Sequence, residues 1–297
     1  MDRNSGESGT AERSTAARPG IAPGVPRTAG PLFAALYGEL VPHAWRAAEP
    51  EQDAYSLFLQ RSLALGWLDD RSIVVEGDST GEHPLLAPGL WAMNDAGWTH
   101  PLAAPGAHLV SWFQVEASAV AVDRPLPVQP FLRCAVDTTT RVGTLTLSAV
   151  QVLLPVQGLD PSARPRSVSV PSLHTTGWFA ECDPRSRTAV EINVNSGRDP
   201  SVTAVARELA DHLGRLEQDV FACHSCAVAG LEAVLPPPFD DAFWNGPPLH
   251  GVVLRGELLE WSCEAIGWLA ETVADIAAGL GVRSPLLFTV TRTSSRS

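Results

Sequence analysis

The chain contains no lysine, so all 21 of its cationic side chains are arginines. A lysine amine is needed for Schiff-base catalysis, for the phosphate-binding loop of P-loop NTPases and for the ATP site of protein kinases. Those three chemistries are therefore excluded. The sequence also lacks the G-x-G-x-x-G and H-E-x-x-H motifs, which argues against dinucleotide redox chemistry and zincin proteolysis.

Positive charge is scarce as well, and the formal net charge is −12. This balance argues against nucleic-acid binding and against docking on anionic lipid, because both need clustered cations. The sequence has no uninterrupted apolar run long enough for a membrane span and no apolar signal region at its N-terminus. Its five cysteines are odd in number and scattered, unlike a secreted disulfide framework. We therefore expect a cytoplasmic protein.

The N-terminal half is predicted to be a flexible tail over residues 1–30, followed by a unit over 31–165. The tail is rich in Ser, Gly, Pro and Arg and has few large apolar side chains. Helical spacing of apolar residues predicts helices over 31–45 and 51–67. Runs of β-forming residues predict strands at 71–76, 107–122, 131–136 and 142–156 in an antiparallel meander, with a long loop over 77–106.

The C-terminal half, residues 166–297, follows a polar linker and shows a clearer order of elements. Strands are predicted at 189–195, 226–235, 249–254 and 285–291. Helices are predicted after the N-cap pair Asp199-Pro200 and over 258–280, where Gly281 ends the second helix. The order β-α-β-β-α-β is typical of the ferredoxin-like arrangement, an antiparallel sheet with two helices on one face. We therefore predict an α+β fold.

The most specific local pattern is Cys223-His224-Ser225-Cys226. A Cys-x-x-Cys can hold zinc, exchange electrons or supply a nucleophile. A zinc site would need a second pair of ligands, and the sequence shows none at a recognised spacing. The two cysteines follow a predicted helix, and the C-terminal end of a helix does not lower the pKa of a thiol. Packing as small buried residues is the favoured interpretation. We predict neither a metal nor a cofactor. If the chain is an enzyme, Cys223 or Cys226 is the candidate nucleophile, with His224 or His250 as base.

Aromatic residues in two loops are the second feature. Phe239, Phe243 and Trp244 lie in a proline-rich segment with Asp240 and Asp241, and adjacent carboxylates in an extended segment diverge, which weakens a paired acid–base role. Trp91, Trp98 and Trp112 lie in or beside the loop over 77–106. Such aromatics either bind a partner or fold their loops onto the core, and the second alternative is favoured.

Two classes of function stay open from the sequence. The first is a non-catalytic binding or assembly protein that uses its aromatic loops to hold a protein partner or a second copy of itself. The second is a cofactor-independent enzyme for a small apolar or aromatic molecule, with a cavity between the halves lined by tryptophan and by polar sheet residues such as Glu191, Asn193 and Asn195. The first is favoured because it needs fewer features that the sequence does not show.

Overall fold

The computed structural model describes residues 28–45, 53–69, 89–121, 123–163, 176–229 and 235–293. Its strands are β1 (Thr28–Pro42), β2 (Trp91–Gly97), β3 (Leu109–Ser118), β4 (Gly143–Leu154), β5 (Thr188–Asn195), β6 (Phe221–Val228), β7 (Gly251–Leu258) and β8 (Leu286–Arg292). Its α-helices are α1 (Ala54–Ala64), α2 (Val128–Thr140), α3 (Thr176–Phe179), α4 (Ser201–Ala204), α5 (Ala206–Arg215) and α6 (Cys263–Gly279). The fold is α+β.

All eight strands belong to one sheet in the order β2-β3-β1-β4-β8-β5-β7-β6. Every pairing between these strands is antiparallel. Each half of the chain supplies four neighbouring strands, and in each half the first strand lies between the third and the fourth. The seam between the halves is the pairing of β4 with β8, from Ala149↔Thr291 to Leu154↔Leu286. No described helix is long and apolar enough to cross a membrane.

The sheet has one face covered by helices, which we call the helix face, and an opposite loop-covered face. Alternation along each strand sends side chains to the two faces in turn, so Leu32, Ala34 and Leu36 of β1 enter the large core under the helices. Phe33 and Tyr37 enter a smaller cluster on the loop-covered face. Both faces are therefore buried at the middle of the sheet.

Helices α2 and α6 pack together above the seam. Gly267 of α6 lies so close to α2 that a Cβ built there would be 2.8 Å from the Cα of Gln129. The N-terminus of α2 has no side-chain cap of its own. Instead Oε1 of Glu271, from the middle of α6, accepts a hydrogen bond from the backbone N–H of Gln129 at 2.7 Å, which supplies one of the acceptors that a helix start needs. This buried carboxylate ties one half to the other.

Two predictions for the first half are wrong. Residues 31–45, predicted as a helix, form most of β1, which starts at Thr28 inside the segment predicted as a tail. Its consecutive residues Leu32–Tyr37 are all buried, so the period-2 signal of a strand is lost and the leucine spacing imitates a helix. Conversely, the strand predicted at 131–136 lies in α2, whose buried residues recur at helical spacing.

The meander and the long loop are corrected as well. Strand β1 inserts between β3 and β4, so the strands of this half do not pair in chain order. The segment 77–106 contains β2, which pairs with β3. The strand predicted at 71–76 and most of the tail lie outside the described residues. The helix predicted over 51–67 and the strands at 107–122 and 142–156 are present as α1, β3 and β4.

The second half follows its predicted order with shifted bounds. The helix predicted after Asp199-Pro200 is divided into α4 and α5. The N-cap of α4 is Pro200 and not Asp199, although Oδ1 of Asp199 accepts from the backbone N–H of Ser201 at 3.0 Å. Gly281 follows α6 with φ +91°, the left-handed conformation expected there. The four strands predicted for this half do not form a sheet of their own, because β8 also pairs with β4 across the seam.

The close approach of α6 to α2 is tested by Gly267→Ala. Alanine favours a helix over glycine by about 1 kcal/mol, but its Cβ would meet the backbone of Gln129, and overpacking of this kind costs about 1–3 kcal/mol. We expect a lower free energy of unfolding in urea. Gly279→Ala in the same helix, where a Cβ meets nothing within 4 Å, is the control and is expected to keep or raise stability. Equal behaviour of the two variants would contradict the close approach.

The buried carboxylate makes stability depend on pH. Burial raises the pKa of Glu271 to about 8 from its ordinary value of 4.5. Between these values the folded protein holds a proton that the unfolded chain has released, so the free energy of unfolding contributed by this group falls as pH rises from about 4.5 to about 8. Urea unfolding at pH 5.5 and 8.5 measures this loss.

Glu271→Gln keeps an oxygen acceptor and removes the titration, so its loss of stability between the two pH values should be smaller than that of the wild type by on the order of 1 kcal/mol or more. Glu208→Gln, at an exposed position of α5, is the control and should behave as the wild type does. A Glu271→Gln profile that matches the wild-type profile would show that this carboxylate does not control the pH dependence.

Candidate functional site: a groove at the seam between the halves

A groove of about 440 Å³ opens on the helix face where β4 extends past the end of β8. Residues Gly143 to Leu147 of β4 pair with β1 but lie beyond Ala149, where pairing with β8 begins. Helix α2 borders the groove on one side, and the start of α6 borders it on the other. The lining residues are Arg133, Val136, Asp137, Thr140, Leu145, Thr146, Leu147, Trp261, Ser262, Cys263, Glu264 and Arg292.

The floor of the groove is apolar. Val136, Leu145, Leu147 and Trp261 are all half-buried and pack against the main core from its edge. The indole Nε1 of Trp261 donates to the backbone carbonyl of Leu147 at 3.1 Å, which holds the ring against the unpaired side of β4. A volume of several hundred cubic ångströms with an apolar floor and a few polar groups at its rim is typical of small-molecule sites.

The rim of the groove is charged, and its two carboxylates are paired. Asp137 accepts from Arg61, with Nε at 2.8 Å. Glu264 lies 3.4 Å from the guanidinium of Arg133. The exposed Arg292 at the end of β8 makes no ion pair with any described residue. The uncommitted charge of the groove is therefore positive, although the whole chain carries −12.

Most of the predicted aromatic site residues lie on the loop-covered face instead. Phe33 of β1 stacks on Trp112 with ring centroids 5.8 Å apart, and Phe239 meets Phe33 edge-on at 4.8 Å. Phe243 and Trp244 pack against this cluster, and the indole of Trp112 donates to the carbonyl of Thr99 at 2.8 Å. The favoured interpretation of these loops, folding onto the sheet, agrees with this packing.

Polar residues lie beside that aromatic cluster in one row across the sheet. The registers place Ala35, Gln151, Thr289 and Asn193 side by side on β1, β4, β8 and β5. Gln151 donates to Thr289 at 3.1 Å and to the carbonyl of Leu235 at 2.8 Å. The side chain of Asn193 is buried, and neither its nitrogen nor its oxygen has a hydrogen-bond partner in the described structure. Asn193 and Asn195, which the sequence offers as polar lining of a cavity between the halves, are both buried.

The remaining predicted aromatic and acidic residues do not form a site together. Trp91 is fully buried under the helices, where its indole donates to Ser62 at 3.3 Å. Trp98 is half-buried after β2. Asp240 is exposed, and its carboxylate accepts from the backbone N–H of Ala242 at 2.8 Å. Asp241 is exposed beside it, so the pair serves the local turn geometry.

The predicted thiol constellation is brought together only in part, because Cys223 and Cys226 both pack against the core under the helices. Cys223 and Cys226 lie within the edge strand β6, not at a helix–strand junction, and Cys226 donates to the carbonyl of Ala206 at 3.4 Å. His224 is exposed between them. His250 lies just before Gly251, whose backbone carbonyl accepts from the N–H of Ala229, the residue after the end of β6. Cys223 lies near the opposite end of β6, so His250 is distant from it. Burial raises the pKa of both thiols, which opposes a nucleophilic role.

The sequence contains one further pattern with a chemical meaning in other proteins, Gly77-Asp-Ser-Thr-Gly81. It matches the G-x-S-x-G elbow of α/β-hydrolases, in which the serine joins a strand to a helix at the edge of a mostly parallel sheet. This segment lies outside the described residues, and the described strands pair only antiparallel. Within the described residues, the sheet therefore does not have the mostly parallel strands in which this elbow is found. No described cluster of three or more His, Cys, Asp or Glu could hold a metal ion.

Comparison with known proteins identifies no relative. No protein-family model, curated protein or solved structure matches the chain. The structure alone therefore defines the class of this protein, which is an α+β fold with one eight-stranded sheet and a groove at the seam.

The cysteine environments predict slow alkylation. Because burial raises their pKa, Cys223 and Cys226 should react with iodoacetamide at pH 8 more slowly than N-acetylcysteine in the same solution. Peptide mass spectrometry over time measures each site separately. The pH at half-maximal rate should lie above that of the free thiol. Faster reaction than the free thiol at either residue would restore the thiol mechanism.

Proposed function

We propose that this chain is a non-catalytic binding protein that holds a small apolar or aromatic molecule in the groove at the seam. The observation that carries the proposal is the groove itself, a concave space of about 440 Å³ with an apolar floor and a charged rim contributed by both halves. It replaces the aromatic loops as the binding surface, because Phe239 and Trp112 are already packed on the sheet.

Binding without catalysis is supported by the state of the reactive groups. Cys263 is the thiol that lines the groove, and its burial raises its pKa to about 12. The pKa of every other cysteine is raised as well, namely Cys134, Cys182, Cys223 and Cys226. Asp137 and Glu264 are held by arginines, which leaves neither poised as a general base.

We infer further that each half is a ferredoxin-like unit. The repeated placement of the first strand between the third and the fourth, with the second at the outer edge, supports this view of both halves. The chain would then be two such units joined edge to edge along β4 and β8. A cytoplasmic location remains part of the proposal, in keeping with five unpaired cysteines.

The proposal is tested with 2-naphthamide, a neutral aromatic probe, by isothermal titration calorimetry. We expect one binding site per chain. Val136→Arg places a long side chain across the apolar floor and should weaken binding by at least about tenfold. Val228→Arg, the same change at an exposed position of β6, is the control and should leave the affinity unaltered.

Prior alkylation of the protein by iodoacetamide at pH 8 should also leave the affinity unaltered, since Cys263, the thiol that lines the groove, is buried and its pKa is raised to about 12. Absence of binding, or equal affinity of the Val136→Arg and wild-type proteins, would remove the groove as the site. Thermal unfolding of each variant confirms that a loss of binding is not a loss of fold.

A further inference from the structure

We propose that the natural ligand of the groove is an amphipathic anion, with its apolar body on the groove floor and its acidic head on Arg292. This inference rests on the proposed function and names the ligand class of the same site. Two observations support it. The carboxylates of the rim are paired with arginines, whereas Arg292 has no ion-pair partner among the described residues, and the apolar floor lies next to Arg292.

The acidic groups of the rim are already neutralised. Asp137 bonds to Arg61, and Glu264 faces Arg133. Asp137 and Arg133 belong to α2 on one border of the groove, and Glu264 belongs to the start of α6 on the other. An incoming cation would have to displace an arginine from one of these carboxylates, and the desolvation and lost pairing would oppose its binding.

Arg292 is the cation left over. It is the last residue of β8, and its neighbour Thr291 pairs with Ala149 of β4. Alternation along β8 places Thr291 towards the loop-covered face and Arg292 towards the helix face, where the groove lies. Its guanidinium makes no ion pair or hydrogen bond with a described residue, so within the described part of the chain its five N–H donors are open to a carboxylate or similar head group.

The apolar floor lies next to this charge. Leu145 and Leu147 belong to the segment of β4 that β8 leaves unpaired when it ends at Arg292. The Trp261 ring is fixed beside them by its bond to Leu147. A ligand whose head contacts Arg292 therefore extends its body directly over this floor, and burial of that body supplies the non-directional part of the affinity.

The test compares 2-naphthoate with 2-naphthamide, which share the ring system and differ in charge. By calorimetry at low salt we expect 2-naphthoate to bind about tenfold more tightly, the usual worth of one charge-assisted hydrogen-bonded contact. Arg292→Gln should abolish this preference, so that the two probes bind the variant with equal affinity. The preference should also shrink as salt is added, because Arg292 is exposed.

Arg215→Gln is the matched control, since it makes the same change of net charge on α5, away from the groove. It should keep the full preference for 2-naphthoate. Equal binding of the two probes, or a preference that survives Arg292→Gln, would overturn the anion while the groove stands as a binding site. Failure of both probes to bind would overturn the proposed function itself.

Discussion

Six residue pairs, from Ala149↔Thr291 to Leu154↔Leu286, join β4 to β8 and turn two four-stranded halves into one sheet. Strand edges left open expose unpaired backbone groups, and this pairing removes one such edge from each half. It also places α2 beside α6, so that Glu271 can cap a helix of the other half. The rest of the structure depends on this seam, because both the shared core and the groove lie along it.

The groove exists because the two paired strands differ in length. β4 begins at Gly143, six residues before its first pairing with β8 at Ala149, and β8 stops at Arg292. The part of β4 beyond β8 is bordered by α2, by Trp261 and by the start of α6, which leaves apolar surface beside Arg292, a cation that has no ion-pair partner among the described residues. A binding site at a junction between units is a common outcome of such incomplete coverage.

Local sequence signals succeeded where one physical effect dominated. Strand β5 alternates strictly and was predicted almost to the residue, and Gly281 marks the left-handed end of α6. They failed where burial on both faces erased the period, as in β1, where Leu32 to Tyr37 are all buried. The groove carried no local signal at all, because its lining comes from α2, β4, the turn before α6 and the end of β8. Trp261 and Arg292 acquire meaning only when these segments meet.

The sequence by itself determined the α+β class, the order of elements in the second half and the missing lysine chemistries. These follow from composition and short-range periodicity, which act within a few residues of the chain. Only the tertiary structure decided the joining of the halves, the burial of Asn193 and the free positive charge at the seam. Each of these depends on contacts between residues far apart in the chain, such as Gln129 with Glu271 and Gln151 with Thr289, and no local pattern encodes which distant strand ends will lie together.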